Sequence, residues 1–116
     1  MDALKKAGAR TGKLAAMLCV FAGVTTASAA CFEDIGCTES EYMRVQDLRR
    51  LSCENLWLVR NTIFDENGFC FRTKRARSMF SNDDCWVSAQ ADVELNDYER
   101  SNVGKIAGVE ASFGCN

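Results

Sequence analysis

In "LWLVRNTIFDENGFCF", residues 56–71, apolar side chains recur at helical spacing and Arg60 falls among them. At about 100° per residue, Cys53, Leu56, Trp57, Ile63 and Phe64 share one arc, with Arg60 near its middle and Asn67 close to it. Ser52 is a good N-cap, Glu54 stands in the first turn, and Gly68 supplies the left-handed residue that ends helices. These signals predict a helix from Ser52 to about Asn67. A second long helix is predicted over Asp97–Phe113, opened by a capping-box pattern at Asn96 and Glu99 and stopped by Gly114. Its apolar arc holds Leu95, Val103, Ile106, Val109 and Phe113; Glu99 and Glu110 fall inside it and Asn102 at its edge. Each long helix therefore carries a charge in the face it must bury, and the two charges are opposite. A lone buried charge is very costly, whereas a paired and hydrogen-bonded one is tolerable. Arg60 is accordingly expected to form a structural ion pair with Glu99, with Glu110 as the second choice. The functional alternative is that Arg60 lines an anion-binding cleft.

Between and before these helices the signals are shorter. "MRVQDLRRL" (43–51) reads as a short helix with Val45, Leu48 and Leu51 inward, and Thr73 caps another over "KRARSMF" (74–80). "SNDD" (81–84) is a turn, and the stretch from Cys85-Trp86 to Leu95 is irregular. "CFEDIGCTESEY" (31–42) is acidic without helical or strand period. There is no repeat, no low-complexity linker and no proline. The expected fold is a single small all-α domain, stabilised by disulfides, with two longer helices, a short helix and irregular loops.

Residues 1–29 read differently. Lys5, Lys6, Arg10 and Lys13 precede the apolar run "LAAMLCVFAGV" (14–24), and "TTASAA" follows with small residues spaced as signal peptidase requires. This is a Sec signal peptide cleaved after residue 29 or 30. The apolar run is too short for a transmembrane helix, which needs roughly 20 residues. Of seven cysteines, Cys19 leaves with the signal, and Cys31, Cys37, Cys53, Cys70, Cys85 and Cys115 remain. An even number in a short exported chain predicts a disulfide framework. Lipidation of Cys31 competes, but it would leave an odd thiol, and Ser28 is a poor residue three before a lipidated cysteine. Zinc and other metals are not expected, because the chain has no His and no C-x-x-C pair. If the long helices pack antiparallel, Cys53 meets Cys115. Cys70 and Cys85 flank the short helix and could pair, which would leave Cys31 with Cys37, either as a local loop closure or with each reaching elsewhere; six cysteines allow 15 connectivities. From Cys31 onward the chain has ten basic residues (14 minus 4) and fifteen acidic ones (16 minus 1), a net charge near −5. That charge argues against nonspecific nucleic-acid binding and against anionic lipid.

"LSCENLWLVRNTIFDENGFCF", with "MF" at 79–80 and "ERSNVGKIAGVE" at 99–110, resembles a YARHG domain. The matching positions include Leu56, Arg60, Asn61, Ile63, Gly68, Phe71, Phe80, Glu99, Asn102, Ile106 and Glu110. The resemblance runs over about residues 47–113 and sets the domain at 47–115, with 30–46 an acidic N-terminal segment. It implies an exported bacterial domain of the envelope. "FDENG" (64–68) stands where the eponymous Tyr-Ala-Arg-His-Gly would be, so the aromatic and the Gly remain while the Arg and the His do not.

The residues offer little for catalysis. Without His there is no Cys–His pair, no serine elbow is present, and Asp65-Glu66 and Asp83-Asp84 sit at a helix end and a turn where acids are solvated. The chain is expected not to be an enzyme and to need no cofactor. "RTKRAR" (72–77) is a cationic run on an acidic molecule, so Lys74, Arg75 and Arg77, with Trp86 nearby in sequence, form the candidate binding surface. The expected function is a small periplasmic or secreted binding module. It would recognise an envelope protein or a cell-wall component, with no nucleic acid and, after signal cleavage, no membrane. The alternative is a secreted enzyme of unrecognised type with a site around Arg60 and Glu99.

Overall fold

The computed structural model describes residues 30–116; the signal peptide expected over 1–29, with Cys19, lies outside the described residues. In chain order the elements are β1 (Cys31–Phe32), β2 (Gly36–Cys37), α1 (Val45–Leu48), α2 (Cys53–Glu66), α3 (Lys74–Met79) and α4 (Asp97–Phe113), with a 3-10 turn at Gln90–Asp92 before α4. The domain is mostly helical, with two long helices and two short ones. Its one sheet among the described residues is the β1–β2 hairpin, in which Cys31 faces Cys37 and is bonded to it.

The helix ends form where local chemistry puts them. The Ser52 hydroxyl accepts from the Asn55 amide at 3.1 Å, and the Thr73 hydroxyl from the Ala76 amide at 3.2 Å. At α4 the capping box is reciprocal: Asn96 Oδ1 accepts from the Glu99 amide at 2.8 Å and Glu99 Oε1 from the Asn96 amide at 2.9 Å. Both long helices close on a left-handed glycine, Gly68 at φ 88° and Gly114 at φ 71°. Behind each, two amides fold back: Gly68 and Phe69 donate to the Asp65 and Phe64 carbonyls, and Gly114 and Cys115 to those of Ala111 and Glu110. This is the Schellman arrangement, completed at α2 by ring contact between Phe69 and Phe64.

α2 and α4 run antiparallel. The Cys53–Cys115 disulfide ties the start of one to the end of the other, and Asn67 reaches Glu99 at the opposite end. The remaining disulfide is Cys70–Cys85, across the short helix α3; Cys53–Cys115 is the pair expected from antiparallel packing. Cross-linking residues 62 apart removes roughly 4 kcal/mol of unfolded-chain entropy, a large share of what a domain this small needs. Two apolar clusters fill the interior. One joins Ile35, Met43, Leu48, Leu56, Val59, Ile63, Ile106 and Val109. The other is built on Phe64, Phe71 and Ala76, with Trp57, Phe69 and Phe80 packed against it.

The N-terminal segment is part of this core rather than an appendage to it. Ile35, Thr38 and Met43 are buried, whereas Val45, expected to point inward, is exposed. The cause is Asn102, placed at an arc edge by the sequence but fully buried. Its Nδ2 donates to the Thr38 and Glu41 carbonyls at 3.0 and 2.9 Å, and its Oδ1 accepts from the Met43 amide at 2.9 Å. One side chain thus satisfies three backbone groups, two of them buried, and lays residues 38–43 along α4. Phe113, expected inward, is exposed, with the Arg49 guanidinium 5.0 Å over its ring.

Asn102→Ala should destabilise the oxidised domain by roughly 3 kcal/mol, because it strands the Met43 amide and the Thr38 carbonyl away from water. Urea unfolding at constant m-value measures it. A loss under about 1 kcal/mol would show that the N-terminal segment is not held by this residue.

Candidate binding surface

Two charged constellations were legible in the sequence, and the structure arranges both differently. Arg60 does not meet Glu99. Its Nε and Nη2 grip Glu110 in a two-point pair at 2.6 and 3.2 Å. Glu99 lies eleven residues earlier on α4, about 16 Å along the helix. The register pinned by Cys53–Cys115 decides this: Arg60 is seven residues from one half-cystine and Glu110 five from the other. The burial of Val59 turns α2 so that Trp57 and Arg60 sit at the rim of its buried face. The Arg60 and Glu110 side chains keep 25% and 12% exposure, so the pair lies at the edge of the core. It borders a shallow surface depression shared with Gln90 and Asn116.

Arg77 and Trp86 line two different depressions, which share Ser81. Lys74, Arg75 and Arg77 are all exposed on α3. Arg75, however, is committed: its guanidinium lies 3.8 Å over the Trp57 ring while Nη2 bonds Glu54 at 2.7 Å. Trp57 is thereby half-buried under a cation, at the border of the second cluster. Trp86 stands in different surroundings. One depression beside it is lined by Asp65, Glu66 and Asp84, the other by Asn67, Asp92 and Glu94, with no Lys or Arg in either.

Trp86 is 71% exposed, yet its position is tightly determined. The Trp86 and Val87 amides both donate to the Gly68 carbonyl at 2.9 Å, and the Cys70 amide donates to the Val87 carbonyl at 2.8 Å. Phe69 and Val87 make a parallel bridge, and the Cys70–Cys85 disulfide closes the strand pair behind them. The indole lies flat on Gly68, where a Cβ would collide with it. Gly68 therefore serves twice, as the left-handed end of α2 and as the floor under the ring. The loop between is clamped by Asn82, whose side-chain amide exchanges two hydrogen bonds with the Phe71 backbone at 2.8 and 2.9 Å.

Beneath this platform lies a group of carboxylates. Glu99, 5% exposed, spends one oxygen on the Asn96 amide and accepts from Asn67 Nδ2 with the other at 2.9 Å. The Thr38 hydroxyl donates to Glu66 Oε1 at 3.2 Å. Burial, helped by the nearby charges of Glu39, Glu99 and Asp65, pushes the Glu66 carboxyl up to about 7 against the opposing Thr38 bond. Burial raises Asp65 as well. Among the described residues, no group of three or more Cys, Asp or Glu side chains is arranged to hold a metal ion.

Two measurements follow from this geometry. A double-mutant cycle should couple Arg60 to Glu110 by about 1–2 kcal/mol, a value reduced from that of a fully buried pair by the partial exposure. The Arg60–Glu99 cycle should give nothing measurable, and the reverse ranking would contradict the register. For Glu66, the folded protein holds a proton that the unfolded chain gives up near pH 4.5. Its contribution to stability is therefore complete at low pH and is lost as pH rises through about 7. Glu66→Gln should flatten that decline and be more stable than the parent at pH 8 in denaturant titrations. An unchanged pH slope in the variant would contradict the burial of this carboxyl.

No curated protein and no solved structure shows significant similarity to this chain. Three of the positions that carry the family resemblance build this end of the molecule: Gly68 under the indole, Glu99 as the double acceptor, Asn102 as the backbone clamp. Asn67 occupies the place of the motif histidine and donates to Glu99. Glu66 occupies that of the motif arginine, which makes this end more acidic. The β1–β2 hairpin and the Asn102-bound segment fall within the matched region, so the domain begins earlier than residue 47. A family model described as the YARHG domain matches residues 31–111, and the chain belongs to the YARHG domain family.

Proposed function

We propose that the protein is a small exported module of the bacterial envelope, periplasmic or secreted, that works by binding and not by catalysis. Its contact surface is the end of the molecule around Trp86. The observation that carries this reading is an indole left 71% exposed while its backbone and ring are held in place. A large aromatic offered to water forfeits most of the roughly 150–250 Å² it would otherwise bury. Three hydrogen bonds, a disulfide and a glycine floor hold this one in that position. Rigid, exposed tryptophans of this kind supply the central contacts of interfaces, because little freedom is lost when a partner covers them. The partner is an envelope protein or a cell-wall component. Lys74 and Arg77, exposed on α3, are the natural control.

Crosslinking in intact envelopes tests the reading. The oxidised protein should capture one dominant protein or wall fragment, Trp86→Ala should lose it, and Lys74→Ala/Arg77→Ala should keep it. Capture that survives Trp86→Ala and disappears with the α3 substitutions would move the surface to the cationic helix.

A further inference from the structure

The platform also carries the chemistry of what it would bind. We propose, resting on the binding reading above, that the ligand at Trp86 is a lysine- or arginine-rich segment of another protein, with one cationic side chain over the indole and its neighbours against the flanking carboxylates. Asp65, Glu66 and Asp84 line one side of the ring, Asp92 and Glu94 the other. A flat uncharged ligand such as a sugar would stack on the ring but would strip water from these carboxylates without compensating them, and so sharpen their mutual repulsion. A cation removes that repulsion and gains from the ring face as well.

The chain builds the same arrangement within itself. The Arg75 guanidinium covers Trp57 at 3.8 Å and bonds the Glu54 carboxylate at 2.7 Å. At Trp86 the indole and the carboxylates are present, and among the described residues no Lys or Arg lines either flank. The external ligand supplies the missing part. Because the ring is fixed in advance, attraction over a Debye length brings the basic segment in and the indole sets where it seats.

The test uses the full oxidised domain and the indole N–H resonances of Trp57 and Trp86. An eight-residue lysine–serine repeat should shift Trp86 and leave Trp57, under Arg75, in place. Asp92→Lys/Glu94→Lys should weaken that binding at least tenfold, and so should 0.5 M salt. Trp86→Ala, a surface change, should abolish it with the fold retained in circular dichroism. A glutamate–serine repeat should have no effect. Chitotetraose shifting Trp86 where the lysine repeat does not would overturn the cationic ligand in favour of a sugar. A lysine repeat that binds equally well to Trp86→Ala would overturn it in favour of diffuse charge attraction, and no shift with any probe would overturn it outright. Loss of the envelope crosslink in Trp86→Ala alongside a silent lysine repeat would overturn the cation and leave the binding reading standing. A lysine response without any envelope crosslink would support the cationic site and remove the envelope partner.

Discussion

The Glu99 carboxylate is the constraint on which the working end of this domain depends. It is almost fully buried, and a charge in that position survives only if each oxygen is engaged. One oxygen closes the capping box of α4; the other holds Asn67, the last residue before the left-handed glycine of α2. A single side chain thus sets where one long helix begins and where the other ends. Gly68 is placed by that junction, and the indole of Trp86 is placed by Gly68. At the far end of the same interface, Arg60–Glu110 and Cys53–Cys115 do the equivalent work. The pairing of polar groups along the α2–α4 contact therefore fixes register, whatever its net contribution to stability.

How much of this was legible in the residues depended on how local the signal was. Helix ends rest on groups three to five residues apart, and Ser52, Thr73, Asn96–Glu99, Gly68 and Gly114 all act where their chemistry predicts. The Cys53–Cys115 pairing was legible because it follows from helix direction, and Cys70–Cys85 because the two half-cystines flank the short helix. The partner of Arg60 was not, because Glu99 and Glu110 lie on the same stripe of α4 and periodicity cannot separate them. The count from Cys53 and from Cys115 does separate them, once the disulfide and the helices are read together. The inward rotation of Asn102 escaped entirely: its partners are backbone groups of residues 38–43, and that segment has no period to read.

The platform around Trp86 lay between these cases. Trp86 adjoins Cys85, and Gly68 precedes Cys70 by two residues, so the Cys70–Cys85 bond already implies that the indole and the glycine meet. Grouping Trp86 with the cations of α3 followed proximity in sequence; in the structure Arg75 is committed to Trp57 and Glu54. Carboxylates line both flanks of the exposed indole, and among the described residues the cation that lies on an indole, Arg75, covers Trp57. The acidic character of the platform comes from Asp65, Asp84, Asp92 and Glu94, with Glu66 standing where the motif has Arg.

The central claim is that Trp86 is exposed and at the same time held fixed. Nitrogen-15 relaxation of its indole N–H in the oxidised, ligand-free protein tests this most directly. An order parameter near that of rigid backbone, about 0.85, is the result expected of a ring seated on Gly68. A value below about 0.6 would mean a freely moving surface side chain, and would contradict both the platform and the recognition built on it.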